Sequence, residues 1–391
     1  MADTIAIDSF GPLRVDRPAQ VADLCALVKA VRAAGHGLYP VGGRTTLDLG
    51  PPPIKPGVAC DTTALTGVID YPARDMTITV QAGITVAALR AVLAKEGQWL
   101  PIDVPAPERA TLGGAVAVNA SGPRRFGYGT LRDYVIGISF VTDDGVEVKA
   151  GGRVVKNVAG YDLMKLHIGA LGTLGMVSQL TLKVKPKPEA SAAVVFGCDS
   201  ASLASVLDGL AASKTRPVAV ELLNRAAVRA SGSALTNSDA EWVVCVAFEE
   251  KATAVRWQVE TLLGELKGHA ARDVAELSDT SFLEGIVALQ HRPESRFIGK
   301  ASTLPSKLAD AVLKLPSALP LHAHAMSGVT WLHADESLPE GLVVRRCPVE
   351  RKKALPLWGT PPAASWELMR HIKRTLDPDN VFNPGRLFGD L

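Results

Sequence analysis

Between Thr111 and Tyr134 the chain reads TLGGAVAVNASGPRRFGYGTLRDY, a stretch that offers bare backbone where most segments offer side chains. Gly113, Gly114, Gly122, Gly127 and Gly129 are spread through it, with Ala115, Ala117, Ala120 and Ser121 between them. Glycine allows positive φ and lets another group approach the main chain closely, so such a run suits a backbone wrapped against a large flat ligand with polar edges. The same composition also describes a surface loop packed for turn geometry. Two further glycine-rich stretches tilt the balance toward a ligand: PVGGRTTLDLG from Pro40 to Gly50, and VAGYDLMKLHIGALGTLG from Val158 to Gly175. Neither matches GxGxxG or GxxxxGK followed by Ser or Thr, although GYGTLR at Gly127 comes near the first. A nicotinamide Rossmann site and a P-loop nucleotidase are therefore disfavoured.

Taken in order, the chain opens with a helix over Pro18 to Ala34, whose Val21, Leu24, Val28 and Val31 fall at helical spacing and which Gly35 stops. A strand, Gly37 to Val41, then delivers the chain to Gly42-Gly43-Arg44-Thr45-Thr46. Consecutive glycines expose main-chain N–H groups, and two threonine hydroxyls and Arg44 add donors, so this loop can cradle a pyrophosphate or form a plain turn between strands. Strands are expected at Val58 to Asp61, Gly67 to Tyr71 and Met76 to Gln81. Thr85 caps a helix through Leu93 that Gly97 ends. Val135 to Val141 and Val146 to Lys149 form a hairpin around Asp143-Asp144-Gly145. A short helix around Tyr161 to Ile168 turns back into the strand Met176 to Val184, with Asp162 and Lys165 as a solvated pair.

The alternating lysines and prolines of Lys183 to Pro188 mark a domain boundary. Beyond it, strands at Ala192 to Gly197, Val218 to Leu223, Trp242 to Phe248 and Leu321 to Leu332 alternate with helices at Ala201 to Ala212, Thr253 to Leu266 and Ser306 to Leu315. That rhythm predicts an antiparallel sheet with helices on one face, an α+β domain. A chain of 391 residues exceeds the size at which one core keeps growing, and 47% hydrophobic residues can fill two. The expected parts are 1–187, 188–350 and a C-terminal segment, 351–391. Its helix, Ser365 to Leu376, carries Leu368, Ile372 and Leu376 at i, i+4 and i+8.

Forty-two basic residues against 40 acidic leave a net charge of +2 without runs of like charge, so nothing electrostatic points to nucleic acid or an anionic membrane. The N-terminus has no apolar run of signal-peptide length and no segment approaches the length of a membrane span, so the expectation is a soluble, cytoplasmic chain. Cys25, Cys60, Cys198, Cys245 and Cys347 are scattered without a C-x-x-C pair, which argues for free packed thiols and against a cluster or zinc ribbon built from local spacing. His322 and His324 lie two apart, so on a strand both project from one face, and His333 could approach them as a metal site or as a polar surface. Asp335 and Glu336 read as solvated. Arg345, Arg346, Arg351, Lys352 and Lys353 gather either to hold a carboxylate or as a solvated basic face.

The Pro40–Gly50 stretch resembles the pyrophosphate loop of flavoproteins related to vanillyl-alcohol oxidase, and ATLGGAVAVNASGPRRFGYGTLRDYVIG resembles that family's second flavin segment. Within the family, VKNVAGYDLMKLHIGALGTLG and the terminal LDPDNVFNPGRL look most like the E subunits of bacterial glycolate oxidases. The resemblance implies a two-part FAD-binding domain with an antiparallel α+β cap inserted between its parts. It implies Val41, Gly42, Gly43, Arg44, Thr45 and Thr46 on the pyrophosphate. Pro105, Thr111, Gly113, Gly114, Asn119, Gly122 and Tyr128 are then contacts to the flavin and adjoining phosphates, with Val177 near the adenosine end; Asn119 alone could equally shape its own loop. Relatives that tether the flavin use a histidine beside the first loop or a cysteine in the second segment. Here Gly43, Arg44 and Ser121 stand in those places, which implies non-covalent FAD.

The resemblance further implies a subunit of a glycolate-oxidising complex, with a sister 2-hydroxyacid-oxidising flavoprotein and an iron–sulfur subunit, peripheral to the inner membrane only through such partners. The metal-holding H-x-G-D-G-N element of catalytic relatives is replaced by LHAHAMSGVTWLHADE, so no metal ligand is assigned and the catalytic residues stay open. A stand-alone dehydrogenase would need a base, for which His322, His324 and His371 are candidates. A flavin-free assembly subunit is the remaining alternative.

Overall fold

A computed structural model describes residues 3–152, 161–232, 239–292 and 294–391; the part of the third glycine-rich stretch before Tyr161 lies outside them. The chain divides into two compact units. The first comprises Met1–Ala120, Thr130–Pro186 and Cys347–Leu391, and the second Ser121–Gly129 and Lys187–Arg346. The segment Ser121–Gly129, expected with the first part, therefore belongs to the second.

The first unit begins with β1 (Thr4–Ile7), β2 (Phe10–Asp16), β3 (Gly37–Val41) and β4 (Gly57–Asp61), in the order β1-β2-β4-β3. The β1–β2 pair is antiparallel, and β2, β4 and β3 run parallel. The parallel pairing is made possible by the crossover helix Val21–Ala33, which buries Leu24, Val28 and Val31 against Leu38, Val58 and Cys60. A second sheet holds β5 (Val68–Asp70), β6 (Thr77–Gln81), β8 (Val135–Val141), β9 (Glu147–Gly151) and β10 (Met176–Lys183), in the order β5-β6-β10-β8-β9. A two-stranded ladder pairs β7 (Gln98–Trp99) with β11 (Lys185–Pro186). Although β6 alternates threonine with aliphatic residues, Thr77 to Val80 are all buried, because the Thr79 hydroxyl bonds that of Thr181 at 3.0 Å. Thr85 caps the helix Val86–Ala94 by accepting the amide of Ala88 at 3.1 Å.

The second unit is one sheet of β12 (Ala190–Cys198), β13 (Ala219–Asn224), β14 (Trp242–Glu250), β15 (Arg272–Leu277), β16 (Phe297–Ser302), β17 (Leu321–His324), β18 (Val329–Ala334) and β19 (Val343–Arg346). Its order among the described residues is β15-β12-β14-β13-β17-β18-β16-β19, antiparallel throughout. The single strand expected over Leu321–Leu332 is two, because Ala325–Ser327 turn and Gly328 takes φ +63°. Helices cover both faces rather than one. Leu203–Ala211, Ala252–Leu266 and Leu308–Val312 bury Val194, Val220 and Val244 with their neighbours, whereas Arg225–Ser231 and Phe282–Leu289 cover Val195, Val243 and Cys245 on the reverse. Strands whose residues are buried in both directions read as continuous apolar runs, which hides the second layer.

The C-terminal helix, Ala363–Leu376, also departs from its pattern. Leu368 is 59% exposed and the buried position is Lys373, 1% exposed, held by Asp377, by the carbonyl of Thr173 at 3.0 Å and by that of Phe382 at 2.9 Å. None of the five cysteines is in a disulfide; four are buried and Cys25 is partly so. Among the described residues no helix is long and apolar enough to cross a membrane.

Candidate functional site

A pocket among the described residues lies within the first unit. Its walls include Val41 through Thr46, Thr111, Gly113, Gly114 and Val177, so the first and second expected flavin segments and the start of β10 meet there. The two glycines of the loop permit that meeting. A Cβ on Gly42 would lie 2.2 Å from the Thr111 hydroxyl, and one on Gly43 1.7 Å from the carbonyl oxygen of Arg109. Neither glycine takes a positive φ; what is used is the missing Cβ, which lets the Thr111 side chain close on Gly42 and the Arg109 backbone on Gly43.

None of the amides from Gly42 to Thr46 donates to a protein acceptor among the described residues, and the hydroxyls of Thr45 and Thr46 are equally unused. Arg44 takes φ +58°, which curls the row into a concave nest of N–H groups suited to an anion. Arg44 also lines the pocket, with its guanidinium 3.8 Å from the Asp61 carboxylate at the end of β4. Burial pushes the Asp61 carboxyl up. The Thr63 hydroxyl and amide, at 2.6 and 2.9 Å, and Arg17 at 2.9 Å outweigh burial and hold it below the ordinary carboxylate value. Thr111 caps the helix Leu112–Ala117 by accepting the Gly114 amide at 3.2 Å.

The remaining expected contacts lie elsewhere. Pro105 and Asn119 are not among the residues lining this pocket; Asn119 has φ +49° and donates its main-chain amide to the Val116 carbonyl at 3.0 Å. Gly122 and Tyr128 belong to the second unit, where the Tyr128 hydroxyl donates to the Glu249 carbonyl at 3.4 Å and burial raises its phenol. Ser121 is there too, accepting from Arg125 at 3.2 Å. Sequence reasoning missed Asn383 and Arg386, which reach the pocket from the far end of the chain.

The second unit carries a different concentration of polar groups. On one face of its sheet Glu221, His322, His324, Trp331, His333 and Lys300 follow one another across β13, β17, β18 and β16. His322 and His324 do share a face, with ring centroids 6.0 Å apart, and His333 lies 5.8 Å from His322. They do not converge on a common point: His324 Nδ1 donates to Glu221 at 2.8 Å, which leaves its Nε2 to accept from Gln290 at 3.2 Å. His322 stacks on Trp331 with both ring nitrogens buried and, among the described residues, unpartnered; Nε2 of His333 and Nε1 of Trp331 share that condition. Burial, with His333 and His324 nearby, holds His322 well below the ordinary histidine value, and burial with Arg292 and Arg346 lowers His333 to about 4.

Lys300 lies over the Trp331 ring at 5.6 Å. It has no carboxylate partner among the described residues, and burial beside Arg345 and Arg125 lowers it to about 8. Among the described residues no group of three or more His, Cys, Asp or Glu is arranged to hold a metal. Asp335, Glu336 and His371 are exposed.

The basic residues expected to gather are dispersed. Arg345 lies over Trp331, Arg346 donates to the Arg292 carbonyl at 2.7 Å, and Lys352 is buried against Asp8 in the first unit. Lys165 is not in a solvated pair but donates to the carbonyls of Arg132 and Val135.

Residues 12–151 match the family described as FAD binding domain, and residues 185–307 and 360–387 match the C-terminal domain of FAD linked oxidases. The chain is an FAD-dependent oxidoreductase of the FAD-linked oxidase family, with the fold of the vanillyl-alcohol oxidase type. Its relatives act on 2-hydroxy acids by name. A D-2-hydroxyglutarate dehydrogenase of Xanthomonas citri is 27% identical over 96% of this chain and 89% of its own length. A D-lactate dehydrogenase of Archaeoglobus fulgidus is 26% identical over 96% and 91%. The glycolate oxidase subunit GlcE of Escherichia coli is 40% identical, over 34% of this chain and 39% of its own. Among solved structures, p-cresol methylhydroxylase superposes with a TM-score of 0.72 over 96% of this chain and 88% of its own at 14% identity. An alkyldihydroxyacetonephosphate synthase superposes with 0.69 over 95% and 75% at 18%, and both share the fold.

Proposed function

We propose that the chain is the FAD-binding subunit of a complex that oxidises a 2-hydroxy acid, of the glycolate oxidase kind, with a sister flavoprotein and an iron–sulfur subunit as partners in the cytoplasm. The observation that carries the cofactor's placement is the row of unused amides from Gly42 to Thr46. These amides, with the Thr45 and Thr46 hydroxyls, would hold the pyrophosphate, while Thr111, Gly113 and Gly114 back the pocket and Val177 lies toward the adenosine. No histidine or cysteine stands among the described residues of the wall, which supports non-covalent binding. The likeness to GlcE supports the glycolate complex.

The polar face of the second unit favours a second reading, in which the chain oxidises the 2-hydroxy acid itself. Bound FAD supplies a two-electron acceptor. Lys300 would hold the substrate carboxylate, and an unpartnered ring nitrogen of His322 or His333, neutral at pH 7, would accept the hydroxyl proton. Their burial excludes competing water.

The visible spectrum of the purified chain before and after acid precipitation tests the first step, and flavin released to the supernatant is expected. A colourless chain that refuses added FAD would leave a flavin-free assembly subunit. Turnover of glycolate, D-lactate or D-2-hydroxyglutarate by the flavin-loaded chain alone, with an artificial acceptor, separates an independent dehydrogenase from a relay subunit.

A further inference from the structure

The pocket's two walls are tied to one C-terminal segment. Asp377 organises it, accepting the amides of Val381 and Phe382 at 2.8 Å each while its carboxylate holds Lys373. From this base Lys373 donates to the carbonyl of Thr173 at 3.0 Å, and the Asn383 side chain to that of Leu171 at 2.6 Å. Leu171 is on one wall of the pocket. Three residues on, Arg386 turns to the other wall. Its guanidinium donates to the carbonyls of Leu47, Leu49 and Pro51, the latter two at 2.6 Å, and to the Asp8 carboxylate at 2.6 Å. Lys352 completes the arrangement, bonding the same Asp8 oxygen at 2.7 Å, the Gly50 carbonyl at 3.0 Å and the Asp48 carbonyl. Five successive carbonyls, 47 to 51, therefore converge on two buried cations.

A loop whose carbonyls all face inward has no internal partners for them, so its course is set by the cations rather than by its own sequence. That loop is the direct continuation of the Gly42–Thr46 nest. We infer that Lys352 and Arg386 are positioning residues of the cofactor pocket: with Asn383 and Lys373 they form a strap that fixes the separation of its walls. The inference rests on the FAD reading of the nest, and it adds that affinity is governed by residues more than 300 positions away in the chain.

Coupling of this kind is reciprocal, so FAD that needs the strap in place must in turn steady the strap. Hydrogen exchange of the full chain with and without FAD reads this directly. The expected result is slower exchange at 42–51 and at 381–386 together. Protection at 42–46 with no change at 381–386 overturns the strap but leaves the cofactor site standing; no protection at 42–46 overturns the site itself.

Variants give the second measurement. Arg386→Gln should raise the dissociation constant for FAD about tenfold or more, as loss of supporting groups commonly does, with Arg386→Lys restoring most of it and the flavin-free melting temperature changing far less. Wild-type affinity in Arg386→Gln overturns the proposal. If that variant fails to fold, the exchange experiment on the native chain decides.

Discussion

Successive main-chain amides line the pocket of the first unit, whereas the polar face of the second is assembled from side chains on four separate strands. The first needs two positions without a Cβ, Gly42 and Gly43, and one residue, Arg44, in the left-handed region. The second needs particular side chains in register, and it leaves imidazole and indole nitrogens buried and without a partner among the described residues, at a cost in stability. Groups kept in that state are poised for a ligand that would satisfy them. On the proposed reading, the contrast would separate recognition of a shared cofactor from discrimination among substrates.

The sharpest way to break this division is Gly43→Val. A Cβ there would meet the Arg109 carbonyl at 1.7 Å, so the loop must move, and displacement by an ångström is enough to cost about a hundredfold in function. FAD titration should show essentially complete loss of binding while the second unit stays folded; retained binding would refute a backbone-built pocket. Next in size is Arg124→Met. Arg124 makes a fork onto Glu249 at 2.8 and 3.2 Å, with the Thr280 hydroxyl donating to the same carboxylate at 2.8 Å. Stranding a buried carboxylate typically costs about 3–5 kcal/mol. Denaturant unfolding should register that loss, and an unchanged midpoint would show that the pair is dispensable.

The pH dependence of stability compares the two units. His167, tilted against Phe140 with ring centroids 3.9 Å apart, and His333 are both lowered to about 4, the first by burial and the second by burial with nearby arginines. A histidine held neutral in the fold binds its proton more readily once unfolded, so stability is lost as pH falls from about 6.5 toward 4. At pH 5 the loss is about 2 kcal/mol for each ring. Comparing unfolding at pH 7 and pH 5 for the wild type, His167→Phe and His333→Phe assigns the loss to each unit; identical pH dependence in all three would contradict the assignment.

The smallest expected effect is Lys300→Met in a chain that turns over: KM for the 2-hydroxy acid should rise about tenfold, or about 1.4 kcal/mol, with little change in kcat. In the wild type, KM should climb above pH 8 as Lys300 loses its proton, and a flat profile would remove Lys300 from the site.

Much of the first unit was legible in sequence because its determinants are local. Thr85 caps its helix, Gly145 with φ +72° turns its hairpin, and Gly42–Thr46 forms its nest, each specified by neighbours in the chain. That Gly122 and Tyr128 fall in the second unit was not legible, for the converse reason. Gly127 passes so close to Val218 that a Cβ would lie 2.6 Å from the Val218 Cα, a contact between residues far apart in sequence, and it draws Ser121–Gly129 into the second unit. The apolar spacing of Leu368, Ile372 and Leu376 was equally misleading, since the helix is anchored by the charge of Lys373 among carbonyls instead.

What the sequence by itself determined is therefore the FAD-binding fold and the loop that begins its pocket, because backbone conformation and capping are decided within a few residues. Tertiary structure alone decided which carbonyls Lys352 and Arg386 hold, that the His322 ring lies buried against Trp331, and that Lys300 has no carboxylate beside it among the described residues. Burial and desolvation are properties of a closed environment, and no stretch of chain carries them until distant strands and the C-terminal strap have come together.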